Sequence, residues 1–451
     1  MTTTTRTVRA MALVTVLILT APVVGATPEP NLTEVPVEVY PLPEGKTVFS
    51  AILAHSNGKV YIGASYNVAR LIEFDPKTKA MKVVARMTSR ALESGGPDLK
   101  DPVLKGDRGD GEFPQTKWKS AQDKIHTQLH EGRDGRVYGA THCRVENPGS
   151  TRSYGGGHWF AYDPKTGATE DLGWSRRHEG IITCCYDRER HVLYGISWPT
   201  GYLFSCKPDE KHYAARLNIL GLASSHLDCS SRYIDVVKDG RVYMADGATG
   251  DIRVYVPGEG RLHSVLGLTT PSHPSSEVPA TLRESPAWRN WWFWGARSPD
   301  GMHLFTTGQR GGRLTEIDAT KGKWGWVIDH GPTVPWADKD RWAGPYCSGM
   351  VFASATVLYH TVGPQLLSYD MKTRKVMDHG RTVLKTDSAT RVTLGGGARG
   401  ADGVLYFYTK VKKKPAIAVL VPVRLEREPT LLRVSPYVVL RPWSERRLKI
   451  R

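Results

Sequence analysis

The segment KIHTQLHEGRDGRVYGATH, residues 124–142, reads as two extended arms folded over an Asp134-Gly135 turn, with His126 and His142 near the open end. Imidazoles titrate close to neutral pH, so such a pair is suited to moving protons or to holding a metal. With the turn centred on Asp134 and Gly135, His130 faces Tyr138 and His126 faces His142. Directly opposed side chains have Cβ atoms about 4.5–5.5 Å apart. The plainer reading is a structural histidine pair, hydrogen-bonded in a buried seam. Farther along, SHLDCSSRYIDVV (225–237) carries Arg232, whose planar guanidinium forks onto a carboxylate. Together these residues suit removal of a proton from the carbon beside a carboxylate. The arginine bears the developing negative charge, one histidine is the base, and a second histidine or a tyrosine protonates the leaving oxygen. Hydrolysis would instead call for two flanking carboxylates, for which Asp187 and Asp228 are the less well placed candidates.

What positions these residues is a repeat. A turn followed by a strand with an aromatic recurs as NGKVYIG, DGRVYGA, RHVLYGI, DGRVYMA, DGMHLFT, ATVLYHT and DGVLYFY. Its aromatics are Tyr61, Tyr138, Tyr194, Tyr243, Phe305, Tyr359 and Tyr406. A second pattern follows each time: LIEFDPKTKAM, WFAYDPKTGAT, YLFSCKPDEK, IRVYVPGEG, LTEIDATKGKW, LLSYDMKTRKV and a diverged IAVLVPVRLE. Asp-Gly turns between β-rich runs, without long helical periodicity, predict units of four antiparallel strands. The expectation is an all-β chain, a single seven-bladed β-propeller domain over residues 27–451 with four-stranded antiparallel blades at roughly 47–428. LTEVPVEVYPL (32–42) and RVSPYVVLRPW (433–443) are expected to brace the closure, and insertions at 88–120 and 268–290 to wall a cleft on one face. The recurring aromatics are packing residues. Departures from the repeat are more telling: four residues beyond the aromatic stand Gly247 and Gly363 in two units, but His142 and Trp198 in two others. Arg232 precedes Tyr243 by nearly the interval at which His126 precedes Tyr138, so both approach the same end of the ring.

The opening residues pair Arg6 and Arg9 with an apolar AMALVTVLILTAPVV and a small-residue VVGA, which predicts a cleaved signal peptide over 1–26 and a secreted or periplasmic product. No other stretch is apolar enough to span a bilayer, and the expected product is a soluble monomer. The net charge of +16 remains strongly positive without Arg6 and Arg9. Such a surface draws polyanions, and for an exported chain an acidic polysaccharide suits the compartment better than nucleic acid. No phosphate-binding loop is present. Cys143, Cys184, Cys185, Cys206, Cys229 and Cys347 make an even count that permits disulfides. His226 and Cys229, with a nearby cysteine, offer a structural metal site for Zn or Ca, although proton transfer itself requires no cofactor. The tryptophans of AWRNWWFWGARS (287–298) are mostly core, with one or two of Trp291, Trp292 and Trp294 expected at the surface.

The DGRVYGATH hairpin with its upstream histidine, YGISWPTG (194–201) and SSRYIDVVKDGRVYMADG (230–247) resemble the seven-bladed propeller polysaccharide lyases of the ulvan lyase-like group. The resemblance covers most of the chain as a blade pattern, and its distinguishing motifs span about 124–250. It implies β-elimination at a uronate, with His126 and His142 at the positions of the family histidines and Arg232 on the carboxylate. Where the family pattern suggests an aromatic hydroxyl, this chain has Trp198, which can stack on a sugar but cannot transfer a proton. Tyr186, Tyr154 or Tyr233 would then supply the hydroxyl, with Tyr186 preferred. The expectation is a carbon–oxygen lyase acting on a uronate-containing acidic polysaccharide, sulfated or not. The alternatives are a rhamnosidase-like propeller hydrolase and a non-catalytic carbohydrate-binding scaffold.

Overall fold

A computed structural model describes residues 30–43, 47–65, 69–87, 122, 124–142, 156–174, 176, 179–211, 213–225, 227, 231–269, 292–307, 313–334, 347–411, 414–420, 429–434 and 438–442. The expected 1–26 signal peptide, the 88–120 segment, nearly all of 268–290, and Cys143, Tyr154, His226, Cys229 and Trp291 lie outside the described residues.

Among the described residues, strands account for nearly all the regular structure, the exception being one helical turn at Tyr213–Arg216. Consecutive strands form antiparallel meanders of four at 47–86, 130–174, 180–222 and 235–269. A fifth meander, at 294–332, gains the C-terminal strand Val438–Leu440 on its outer edge. The remaining strands form one ten-stranded assembly. In it, a meander at 347–384 and another at 394–420 are joined by Glu34–Pro41, the first of the described strands. Its leading half runs parallel to Lys375–Leu384, with Glu34 opposite Arg381. Its trailing half runs antiparallel to Lys414–Leu420, with Glu38 opposite Val419. The N-terminal segment thus supplies a strand that the last meander lacks, as the closure expectation required.

The meanders stack face to face in chain order. Alternation along each strand sends apolar side chains to both faces, so each core is shared by two neighbouring sheets. Tyr61, Leu71, Val137 and Phe160 join the first sheet to the second, and Tyr138, Trp159, Leu193 and Phe204 join the second to the third. The series ends where Tyr406 and Ile417 of the last meander meet Ile62 and Phe74 of the first, closing a circle. The recurring aromatics all belong to these cores; the most exposed, Tyr359, is only 7% accessible.

Three outer strands share a device that the sequence reading missed. In EDLGW, IDHGP and MDHGR, the carboxylates of Asp171, Asp329 and Asp378 each accept the N–H of the glycine two residues on, at 2.8 Å. The same carboxylates receive His158, Arg313 and Gln365 from the adjacent strand. Each lies at a register shift, where a residue is left without a ladder partner. The first-to-second strand turns, such as that at Gly135 (φ 79°), lie at one rim, the turn rim. The starts of the first strands, including Gly180 and Trp294, lie at the other, the entry rim.

Candidate active site

The hairpin that carries the histidine pair is only partly regular. His130 faces Tyr138, as the sequence predicts. At the open end, however, the residue opposite His142 is Lys124, with backbone hydrogen bonds of 2.8 and 3.0 Å, and not His126. Residues 125–129 therefore bulge against 139–141. The Thr127 hydroxyl replaces the missing rungs, donating to the carbonyl of Ala140 at 3.2 Å and accepting its N–H at 3.0 Å. The expected direct opposition of His126 and His142 is corrected, yet the bulge still brings the two rings together. Their centroids are 5.7 Å apart, edge to face at 87°.

Alternate side chains of the bulged arm fasten it to Gly180–Asp187, the first strand of the next sheet. His126 Nδ1 donates to the carbonyl of Ile182 at 2.9 Å, and His130 Nε2 donates to that of Cys184 at 3.1 Å. Between them Gln128 Oε1 accepts the Thr183 hydroxyl at 3.0 Å. The bond to Ile182 fixes the tautomer of neutral His126, with the proton on Nδ1 and the lone pair on Nε2. His142 is buried against Gly180, where any Cβ would stand 1.8 Å from its Nδ1. Gly180 pairs with Trp198, whose ring lies 5.3 Å from that of His142 at 74°.

Electrostatics keep both imidazoles neutral. Burial, followed by the charges of Arg232 and Lys124, holds His126 well below the usual imidazole range, outweighing the bond to Ile182. Burial, then His126, Lys124 and Arg232, do the same for His142. The half-buried Arg232 is tied by its backbone N–H to the carbonyl of Trp292 at 2.8 Å. This places it beside the start of the fifth meander.

His126, His142 and Trp198 thus meet at the entry rim, with Arg232 and Lys124 close enough for their charges to act on both histidines. Lys124 and Gly180 were missed in the sequence. The signal for Lys124 was its spacing two residues before His126; Gly180 offered none until His142 was positioned. Trp198 is only 4% exposed and packs with Ile182, Ile196 and Ile234, so it walls the site and does not present a face to a sugar. Tyr186 is corrected as the hydroxyl of this site. It lies six residues along the strand from Gly180, about 20 Å at strand rise, at the turn rim. There its hydroxyl meets His191 Nδ1 at 2.5 Å and accepts the N–H of Arg133 at 2.9 Å. Tyr233, although next to Arg232, is buried and donates to Asp235 Oδ2 at 2.7 Å. Among the described cysteines, Cys184, Cys185 and Cys206 are buried free thiols. Trp292 is buried, whereas Trp294 is half-exposed, its ring 5.4 Å from Phe293 and 6.0 Å from Tyr408.

No known family model matches the chain, and no curated protein matches its sequence. Solved structures do resemble it in fold. A chain of a mitotic checkpoint complex aligns with TM-score 0.52 at 12% identity, over 92% of this chain and 99% of that one. A streptogramin B lyase aligns with TM-score 0.53 at 12% identity, over 85% and 96%. Virginiamycin B lyase from Staphylococcus aureus aligns with TM-score 0.51 at 11% identity, over 85% and 99%. The chain folds as a β-propeller. At these identities the likeness extends to the fold alone, and the fold serves lyases and complex components alike. Among the described residues, no helix is long and apolar enough to cross a membrane.

Proposed function

We propose that this protein is an exported polysaccharide lyase that cleaves a uronate-containing polymer by β-elimination, built on a ring of seven blades. The blade count follows from taking 347–384 as one blade and 394–420 with Glu34–Pro41 as another. The observation that carries the activity is the hydrogen-bonded tautomer of His126, its proton on Nδ1 toward Ile182, with the ring edge to face against His142 and within the field of Arg232.

In this reading Arg232 and Lys124 hold the uronate carboxylate. His126 Nε2 takes the C5 proton, and the C5–H electron pair becomes the C4=C5 double bond as the C4–O bond breaks. The leaving oxygen takes the ring N–H proton of neutral His142, which is replaced from water as His126 gives up the C5 proton. Arg232 neutralises the charge that gathers on the carboxylate, so the intermediate does not carry two uncompensated negative charges. Bound carboxylate also offsets the cations that depress His126, which makes the base stronger when substrate is present. Phe293 and Trp294, joined to Arg232 through Trp292, offer an aromatic platform for a neighbouring sugar ring.

The test is incubation with a panel of acidic polysaccharides, following both ultraviolet absorbance of the unsaturated uronate and release of reducing ends. Absorbance that rises with reducing ends, and is lost in His126→Ala, supports the lyase. Reducing ends without absorbance would assign a hydrolase. The burial of His142, 4% exposed, favours a second reading, a carbohydrate-binding propeller. Binding with neither signal would support it.

A further inference from the structure

In several units the residue two before the buried aromatic is a cation paired with an aspartate: Lys59 with Asp75 at 2.5 Å, Arg136 with Asp134 at 2.6 Å, and Arg241 with Asp239 at 2.6 Å. At the same place in the 294–332 meander stands His303, and three carboxylates surround it. Its Nδ1 lies 2.8 Å from Glu316 Oε1 and 3.9 Å from Asp318 Oδ1, and its Nε2 lies 3.8 Å from Asp300 Oδ2. Strand pairing dictates this convergence. His303 is the cross-strand partner of Asp318, and Glu316, two residues earlier, projects from the same face.

We propose that His303, Glu316 and Asp318 form a binding site for a divalent transition-metal cation of the zinc type. Their donor atoms all lie within 4.8 Å of one another. Tetrahedral zinc holds its ligands at about 2.0–2.2 Å, which sets neighbouring donors about 3.3–3.6 Å apart, so small side-chain rotations would close the triangle. An outer layer is already present. His330 Nε2 donates to Glu316 Oε2 at 2.7 Å, and Thr320 donates to Asp318 Oδ1 from its backbone at 3.0 Å and its hydroxyl at 2.5 Å. Asp300 Oδ2 stands 3.8 Å from the far nitrogen of His303, from where a side-chain rotation would form the carboxylate–histidine pairing that orients metal ligands. One imidazole with two carboxylates suits zinc better than calcium, which takes six to eight oxygens. Asp300 is 58% exposed and His303 18%, which opens a path from solvent. The site lies at the turn rim, away from His126, so its metal would brace the sheet and take no part in elimination.

The test uses the full-length protein stripped by a chelator, then titrated with Zn²⁺ by calorimetry and with Co²⁺ by visible absorption. The expected result is saturable binding and a raised melting temperature in the wild type. His303→Gln and Asp318→Asn should each weaken binding at least tenfold without changing the far-ultraviolet circular dichroism. Absence of binding by the wild type would overturn the proposal. So would binding unchanged in both variants, which would move the ion to other residues such as His226 and Cys229. If His303→Gln does not fold, Asp318→Asn decides alone.

Discussion

Gly180 and His142 are in contact so close that a methyl group on residue 180 would stand 1.8 Å from the imidazole Nδ1. The ring is therefore held by the absence of a side chain on the next sheet, with Trp198 behind it and His126 in front. Gly180→Ala should displace His142, costing about 1–3 kcal/mol as an overpacked core site. Elimination should fall at least tenfold while the far-ultraviolet spectrum stays native. Turnover unchanged in this variant would remove His142 from the reaction.

The depressed basicity of the pair sets the pH behaviour. His126 must be neutral to accept a proton, so activity is lost as pH falls through its pKa. Burial and the charges of Arg232 and Lys124 lower that value in the free protein, with neutral His142 alongside. The acid limb of kcat/KM should therefore lie below the usual imidazole range. The limb of kcat should lie higher, because bound carboxylate offsets the two cations. Stability has the same sign: these histidines resist protonation when folded, so the unfolded chain binds more protons and acid below the ordinary histidine pKa destabilises the fold. Coincident limbs for kcat and kcat/KM would contradict the role given to Arg232.

Much of this was legible in the sequence, and the failures have specific causes. Period-two alternation and Asp-Gly turns revealed the repeat, because both are local. The aromatics Tyr61 to Tyr406 recur at one place in each unit, as core residues do, and they are found in the core. The hairpin register was right at His130 and Tyr138 and wrong at His142, because a Thr127 side chain replaces backbone rungs there and lengthens one arm. A bulge of that kind leaves no mark on alternation. Trp198 reads in the sequence as a ring able to stack on a sugar, but packing between two sheets buries it, a tertiary fact that no single strand encodes. Lys124 and Gly180 matter only through residues brought to them by neighbouring strands.

Tyr186 separates the two rims experimentally. Its hydroxyl links His191 to the backbone of Arg133, and its ring stacks on Tyr138 at 5.8 Å. Tyr186→Phe leaves that N–H and His191 without their partner, a cost of about 1–3 kcal/mol. The melting temperature should drop by several degrees, while kcat on a productive polysaccharide stays within about twofold of wild type because the base is remote. A large fall in kcat with unchanged stability would return the hydroxyl to the chemistry.

The aromatic platform gives the sharpest division between binding and chemistry. Trp294 packs one part of its ring on the core between the fifth and sixth meanders and leaves the rest at the entry rim, beside Phe293 and near Tyr408. It is two residues from the carbonyl that holds Arg232, yet it contributes no titratable group. Stacking on a sugar that lies outside the cleaved bond stabilises ground state and transition state alike, which changes KM and leaves kcat in place. Trp294→Ala should therefore raise KM for long polymers several-fold and affect short oligomers less, because they do not reach the platform. Equal losses on long and short substrates would mean that the ring supports Arg232 from below. In that case Arg232→Lys should reproduce the same kinetic pattern, since a point charge cannot replace the carboxylate fork.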